Sequence, residues 1–269
     1  SDEASSMQFA KQGHVACGDI FSVSQGTIEF WIKPATHANN EWALSKSLDR
    51  DNRMELGFGP TMFMFMVKTD GQWSYLGVDK QHVPLDAWHH VAVTFSDHKA
   101  AIFIDGVERA TDNSGRYSLA HLAGGVLCIG QGASGQQESY NGMLAELRLS
   151  NDVRYTTDFA PASTLTSDDQ TVALWRFAES SGQTVRDSSG NHHHGTIVGH
   201  VTRTDEQPAL AAAASLLGSD QCARYPCVRV SEPPEIDGQF DDDCWLNATA
   251  AIGFLDRATG DDMPAVRQT

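Results

Sequence analysis

The clearest hydrophobic pattern in the chain lies between residues 87 and 106. Apolar side chains alternate along His89–Phe95 and again along Ala100–Ile104, the period of two that places successive side chains on opposite faces of a strand. The intervening Ser96–Lys99 is polar, and Asp105-Gly106 supplies a second turn, where Gly accepts a positive φ. We predict two antiparallel strands joined by a tight turn. Because the first strand is apolar on both faces, it is typical of a two-layer β structure.

The same alternation recurs through the first 200 residues, with turns that contain Gly, Pro or Asp between the strands. The predicted strands are Met7–Phe9, His14–Cys17, Phe21–Val23, Thr27–Lys33, Trp42–Lys46, Met54–Phe58, Thr61–Lys68 and Gln72–Val78. The run Met62–Met66 is apolar on both faces, which favours a central strand of a sandwich. The pattern therefore predicts an all-β protein.

Four segments carry a resemblance to a known family. The segment AWHHVAVTFSDHKAAIFIDG (87–106) resembles the central hairpin of LamG-like domains, a branch of the concanavalin A-like jelly rolls. Three others resemble the family in the same order: GTIEFWIKP (26–34), VLCIGQG (126–132) and YNGMLAELRLSNDVRY (140–155). The resemblance implies an antiparallel two-sheet jelly-roll sandwich. It implies less about function, because this fold is used by binding modules, adhesion domains and enzymes.

A further segment, VALWRFAESSGQTVRDSSGNHHHGTIVG (172–199), resembles text that commonly precedes a LamG-like domain, although here it follows one. It is either the start of a second domain or a set of strands that completes the first sandwich. We favour completion, since no second Trp-His-x-Val-Ala hairpin follows and an unpaired edge strand is a liability. The predicted LamG-like domain is therefore 1–200.

Residues beyond 200 change in character. The stretch 201–226 contains Pro208 and an alanine-rich run without alternation, which predicts a linker. Residues 227–269 include PEIDGQFDDDCWLNA, which resembles the opening of a family 9-like carbohydrate-binding module. The sequence stops at Thr269, well before such a sandwich would close. We therefore expect the chain to be a fragment of a larger multidomain protein, with other domains of the same polypeptide as partners.

Composition narrows the function. The chain has 19 Lys and Arg against 35 Asp and Glu, a net charge of −16. A surface this acidic disfavours binding to nucleic-acid phosphates and to anionic lipid. No apolar run approaches the ~20 residues that span a bilayer, so we expect no nucleic-acid binding and no membrane insertion. The start, SDEASSMQF, has neither a basic region nor an apolar core, so no signal peptide is predicted there. The resembling modules imply a secreted or cell-surface protein, whose leader would have been removed.

The cysteines give a weaker indication of the same compartment. They number five and show no Cys-x-x-Cys spacing, which disfavours a zinc site; they are Cys17, Cys128, Cys222, Cys227 and Cys244. The first two lie in predicted strands and suit small buried apolar positions. The other three surround the linker, where a disulfide would stabilise a segment with little core. Their pairing stays open, and an odd number leaves at least one thiol free.

The search for catalytic residues predicts none. Catalytic jelly rolls of the family 16 glycoside hydrolase type use Glu-x-Asp-x-Glu, which aims three carboxylates into one cleft. This chain has Glu235-Ile236-Asp237-Gly238-Gln239, in which the amide of Gln239 takes the place of the third carboxylate. The segment also lies outside the predicted sandwich. A cleaving enzyme with an unrecognised site stays an alternative.

Calcium is the candidate cofactor. The turn from Asp187 to Asn191 offers the carboxylate, amide and backbone oxygens that calcium prefers, and the resemblance to LamG-like domains implies an ion at the sandwich edge. Glu146 is the third candidate ligand, although the family's preceding Asp is Ala145 here. The alternative is an Asx turn stabilised by Asp187 alone.

Sugar recognition uses flat aromatic rings with planar polar groups beside them. The candidate carbohydrate-binding residues combine rings beside polar turns with loop side chains that can hydrogen bond: Trp42, Trp73, Tyr75, Asn52, Arg53, Gln131 and Tyr140. We predict a non-catalytic carbohydrate-binding region of a larger secreted bacterial polysaccharide-acting protein, with a polysaccharide or glycan as partner. A protein–protein adhesion module without a sugar ligand is the other alternative.

Overall fold

A computed structural model describes residues 6–10 and 12–208, with the backbone alone at 136–137, 250–251 and 266–267. The chain divides into two compact units, Ser1–Ala212 and Ala213–Thr269. In the second unit the described strands are Ala250–Ala251 and Val266–Arg267, which pair antiparallel with each other. The sequence-based predictions for the rest of the linker, for the family 9-like segment and for Cys222, Cys227 and Cys244 lie outside the described residues.

The first unit is built almost entirely of β-strands. In chain order they are β1 (Ser6–Phe9), β2 (His14–Gly18), β3 (Gly26–Pro34), β4 (Glu41–Ser47), β5 (Arg53–Phe58), β6 (Met62–Thr69), β7 (Gln72–Asp79), β8 (His89–Phe95), β9 (Ala100–Ile104), β10 (Val107–Asp112), β11 (Val126–Ile129), β12 (Gln131–Gly132), β13 (Gly135–Ser139), β14 (Gly142–Ser150), β15 (Thr171–Trp175), β16 (Thr184–Val185), β17 (Gly195–Val198) and β18 (Val201–Thr204). The helical segments within the described residues are two 3-10 turns, Lys80–His82 and Ala120–Leu122. Neither is long and apolar enough to cross a membrane.

The strands form two sheets. The first has the order β10-β9-β8-β3-β14-β1-β18, with β15 also paired to β14. The second has the order β16-β17-β2-β11-β4-β5-β6-β7, with β12 and β13 attached beside β4. The pairing is antiparallel except for one bridge between Ser139 and Trp42. The predicted all-β, two-sheet sandwich is confirmed.

The core fills the space between the sheets because alternate residues of each strand point inward. In β3 the inward residues are Ile28, Phe30 and Ile32, while β6 contributes Phe63 and Phe65 from the opposite sheet. All five side chains are fully buried. At about 25 cal/mol per Å² of apolar surface removed from water, this layer is the main source of stability.

The outer face of the first sheet is closed by the segment 151–170. Tyr155 and Phe159 stack on each other and pack on Phe103 of β9. Beneath them the Glu29 carboxylate accepts hydrogen bonds from Arg148 Nε and from the Tyr155 hydroxyl, each at 2.8 Å. These contacts bury both faces of β3, β8 and β9, so that this face is not available to a ligand.

Residues 171–208 add strands to both sheets and change one predicted boundary. β15 pairs with β14 in the first sheet, and β17 pairs with β2 in the second. β18 pairs with β1 at the edge of the first sheet, and Glu206 beyond it accepts hydrogen bonds from Lys33 Nζ and Trp88 Nε1. The linker predicted to begin at residue 201 was therefore placed too early. Val201–Thr204 is a short strand. Its three β-branched residues were assigned to the linker because the stretch is short and an alanine-rich run follows it.

Candidate functional site

Three rows of side chains cross strands β4–β7 on the outer face of the second sheet, which is partly exposed along β6 and β7 and largely buried along β4 and β5. The register aligns Ser47, Arg53, Lys68 and Trp73 in the first row, then Ser45, Glu55, Met66 and Tyr75, then Trp42, Gly57, Met64 and Gly77. Their apolar neighbours in sequence, such as Met54, Leu56 and Phe65, point into the core instead. The rows therefore bring together side chains from four consecutive strands, all between residues 41 and 79.

Two glycines make a depression in the third row. Gly57 and Gly77 lie on either side of Met64 and offer no side chain to fill the space. Gly57 is also required by the close approach of β4, since a Cβ there would lie 2.4 Å from the Glu41 carbonyl oxygen. The outward methionines of β6 thus form the floor of a groove between rings on either side.

We call this depression the aromatic groove and define it by its seven lining residues: Asn40, Trp42, Pro60, Met64, Met66, Trp73 and Tyr75. Its volume is about 270 Å³, and almost all of its lining is apolar. Trp73 is 38% exposed and Tyr75 is 64% exposed. Exposed aromatic rings beside an apolar floor are costly to leave in water, which makes this groove a candidate binding surface.

Trp42 forms the inner wall of the aromatic groove and is held by packing. It is only 3% exposed, and its Nε1 has no hydrogen-bond partner within the described residues. β12 lies so close to the ring that a Cβ at Gly132 would come within 2.3 Å of Trp42 Cδ1. Trp42 therefore shapes the groove and offers a ligand little surface, whereas Trp73 and Tyr75 offer much more of theirs.

Two cations lie against the ring of Trp73. The Arg53 guanidinium carbon is 5.1 Å from the ring centroid, and Lys68 Nζ is 5.6 Å from it. Both distances are within the range of a cation–π contact. Arg53 thus borders the groove at its Trp73 end, next to the row that contains Glu55.

Glu55 lies on the same outer face but is buried. Its Oε1 accepts a hydrogen bond from the Ala133 backbone N–H at 3.1 Å, and its Oε2 is 3.9 Å from Arg53 Nε. Burial raises the pKa of the Glu55 carboxyl, and the charge of Arg53 and the Ala133 N–H offset this only in part. At 3.9 Å the Glu55 carboxylate makes no hydrogen bond to Arg53 Nε.

The other predicted carbohydrate-binding residues lie apart from the groove. Asn52 closes a turn through hydrogen bonds to Asp49 and from the Asp70 backbone N–H. The Gln131 carbonyl accepts a hydrogen bond from Ser45 Oγ under the β12–β13 hairpin. Tyr140 is fully buried and packs on Phe9, so its proposal as a ligand contact was wrong. Tyr140 follows a strand, a position that suggests an exposed loop, but its side chain points into the core.

The predicted calcium ligands are already engaged in hydrogen bonds. Asp187 accepts four of them, from the backbone N–H of Leu174, Ser189 and His193 and from Ser189 Oγ, at 2.7–3.0 Å. Burial alone would raise the pKa of Asp187, but these donors hold it below the usual value. The Asn191 amide donates to the carbonyls of Thr171 and Val172 in β15. Both residues are used as in an Asx turn.

Glu146 is engaged elsewhere. Its carboxylate accepts hydrogen bonds from the Leu165 backbone N–H at 2.8 Å and from Arg176 Nη1 at 3.2 Å. Within the described residues, no group of three or more His, Cys, Asp or Glu side chains is placed to hold a metal ion. The three predicted ligands do not fit a calcium ion as they stand, because an ion would have to displace donors from both Asp187 oxygens.

The sequence comparison decides the family. Residues 9–158 match the family described as the concanavalin A-like lectin/glucanases superfamily, which is more than half of the chain. The chain belongs to this family. Among curated proteins, none matches it in sequence.

Two solved structures illustrate the shared fold. One is a candidate carbohydrate binding protein from Bacteroides ovatus, with 16% identity over 77% of this chain and a TM-score of 0.56. The other is the LG4-5 region of the mouse laminin alpha1 chain, with 12% identity over 75% of this chain and a TM-score of 0.51. The alignments span 61% and 47% of those two chains. At 16% and 12% identity these similarities support the fold of this chain and say nothing about its ligand.

Proposed function

We propose that the sandwich is a carbohydrate-binding module and that its aromatic groove holds a glycan. The observation that carries the proposal is the meeting of Trp42, Trp73 and Tyr75 in one groove on the outer face of the second sheet. Sugar rings present C–H groups on their faces, which pack on aromatic rings, and hydroxyls at their edges, which need planar polar partners. The family's lectin members and the Bacteroides ovatus neighbour agree with this ligand class.

The groove has the composition that such a ligand needs. Met64 and Met66 give the floor a soft, polarizable surface that adapts to irregular shapes. Asn40 and Arg53 supply polar groups at its rim, and the Tyr75 ring ends in a hydroxyl. The arrangement is therefore apolar where a sugar face would lie and polar where its hydroxyls would reach.

The proposal is for binding without cleavage. Glycoside hydrolysis needs two carboxyl groups that flank the scissile bond, and none of the seven groove-lining residues carries one. We extend the proposal to the parent protein as a secreted bacterial protein that acts on polysaccharide, since a module of this kind would hold its polypeptide on a glycan outside the cell.

The test is binding of the purified chain to a panel of polysaccharides, with Trp73→Ala and Tyr75→Ala. We expect each change to weaken affinity roughly 2- to 10-fold, since an aromatic contact contributes ~0.5–1.5 kcal/mol and 1.4 kcal/mol is a factor of ten. Because both rings are exposed, the urea midpoint should hardly change. Leu85→Ala is the matched control, as Leu85 is 43% exposed and lies outside the groove.

Two results would contradict the proposal. Unchanged glycan affinity in the Trp73→Ala, Tyr75→Ala double variant would place the glycan elsewhere. Binding to proteins but to no glycan, lost in the same variant, would favour the adhesion module.

A further inference from the structure

Arg53 is the cation in the groove's border that lacks a close partner. Its Nε is buried and has no hydrogen-bond partner within the described residues, and the carboxylate oxygen beside it, on Glu55, is 3.9 Å away. The side chain keeps 21% of its surface exposed while its guanidinium lies over Trp73. Among the described residues this Nε, one donor of the planar guanidinium fork, has no acceptor within hydrogen-bond distance.

Lys68 is the contrasting case on the same ring. Its Nζ donates to Asp51 Oδ1 at 2.9 Å and to the Arg50 carbonyl at 3.1 Å. Its charge is therefore compensated within the protein, although it lies almost as close to Trp73 as Arg53 does. The row therefore holds one cation that is hydrogen bonded to a carboxylate and one, Arg53, whose neighbouring carboxylate oxygen is 3.9 Å away.

We propose that the aromatic groove selects a glycan that bears a carboxylate on its sugar ring, a uronic acid, and that Arg53 is the residue that receives this carboxylate. The inference rests on the proposed function and names its ligand class. A uronic acid carries its carboxylate at the edge of the pyranose ring, so a ring in contact with the exposed part of Trp73 places that group beside Arg53. Arginine recognises a carboxylate through two parallel hydrogen bonds, which adds direction as well as charge.

The charge of the whole chain argues for a local contact. A net charge of −16 opposes a polyanion over the rest of the surface, and it does so more strongly the more charges each sugar unit carries. That repulsion is screened beyond ~8 Å at physiological ionic strength, whereas a contact at Arg53 is not. The ligand class is therefore a carboxylated sugar at one subsite and not a heavily sulfated chain.

The experiment compares three uronic-acid polymers (polygalacturonate, polyglucuronate and alginate) with the same polymers after reduction of their carboxyl groups to neutral alcohols. Binding to the full chain is measured by isothermal titration. We expect at least one acidic polymer to bind and its reduction to weaken affinity about 10- to 100-fold, the equivalent of the ~1.5–3 kcal/mol of a charged hydrogen bond.

The variants assign that preference to a residue. Arg53→Met should lower affinity for the acidic polymer by a similar factor and should weaken binding of the reduced polymer much less, because there it removes only a rim contact to hydroxyls. Lys68→Met is the matched control, since it removes the other cation from Trp73, and it should change the acid-to-neutral ratio little. Urea unfolding of both variants checks that the sheet is intact.

The outcomes separate the inference from the proposed function. If acidic and reduced polymers bind equally and Arg53→Met has no effect, while Trp73→Ala still weakens both, the inference is overturned and the carbohydrate-binding function stands. If no polymer of either kind and no neutral polysaccharide binds, both are overturned. If only a sulfated glycan binds, and Arg53→Met weakens it, the carboxylate assignment is wrong.

Discussion

At the scale of single residues, Asp187 holds the turn between β16 and β17 against β15. Its carboxylate satisfies three backbone N–H groups and one hydroxyl in a buried position. We predict that Asp187→Ala lowers the free energy of unfolding by on the order of 3 kcal/mol, because it leaves buried donors without an acceptor. Urea unfolding measures this, with the exposed Asp169→Ala as the control.

The pH dependence gives the same prediction a second readout. Since the pKa of Asp187 is lower in the folded protein than its usual 3.8, its contribution is complete above the unfolded value and is lost as the pH falls through the folded one. The difference in unfolding free energy between wild type and Asp187→Ala should therefore become smaller below about pH 4.

The same carboxylate bears on the predicted calcium site. Because its oxygens already accept four hydrogen bonds, the melting temperature should be equal in EDTA and in millimolar calcium. A calcium-dependent rise that Asp187→Ala abolishes would instead restore the predicted ion.

The sequence identified candidate aromatic residues, but it did not predict how deeply each side chain is buried. Trp73 and Tyr75 lie on one face because positions two apart in a strand share a face, and both rings are exposed. The sequence could not show that Tyr140 turns inward or that Trp42 is almost buried, since both depend on where the β12–β13 hairpin lies. The groove floor was missed because Met62–Met66 was interpreted as a central strand. The glycines at positions 57 and 77, in the strands on either side, were the available signal.

At the scale of elements, β18 closes the edge of the first sheet beside β1. Four residue pairs join the two strands, from Ser6 opposite Thr204 to Phe9 opposite Val201. We predict that a chain ending at His200 is less stable than one ending at Pro208 by on the order of 2 kcal/mol, since a few backbone hydrogen bonds at ~0.5–1.5 kcal/mol each are lost. Urea midpoints of the two chains measure the difference.

Glu206 provides the control for that comparison. Glu206→Ala in the longer chain removes the hydrogen bonds from Lys33 and Trp88 but leaves the strand. It should lower stability by less than the truncation does. Equal midpoints for both chain ends would mean that β18 adds nothing to the sandwich and that the linker does begin near residue 201.

Elements with strong alternation were predictable, and short edge elements were not. The β8–β9 hairpin was placed with its turn because its pattern covers both strands and its turn residues are polar. β18 has four residues and one paired side, so that it shows too little alternation to be recognised in sequence. Its position depends on β1, at the opposite end of the described sandwich sequence, and no local pattern encodes that pairing.

At the scale of the whole molecule, the two outer faces of the sandwich differ in how far they are covered by other segments of the chain. Segment 151–170 closes the first sheet, whereas the aromatic groove lies on the second. Sequence alternation marks an inner and an outer side of each strand but cannot tell which outer side is later covered. Which outer face stays exposed, and so could hold the proposed glycan, therefore depends on tertiary packing and not on the strand pattern.

The net charge of −16 predicts how the whole molecule responds to salt. Self-repulsion of an acidic surface opposes the compact state, and ions screen it. We expect the melting temperature at pH 7 to rise as NaCl increases from about 10 to about 150 mM. Close to the sequence pI of about 4.9 the charges balance, and the same addition of salt should have little effect. A rise of equal size at both pH values would show that salt acts through apolar hydration instead, and the acidic surface would then carry no electrostatic cost for folding.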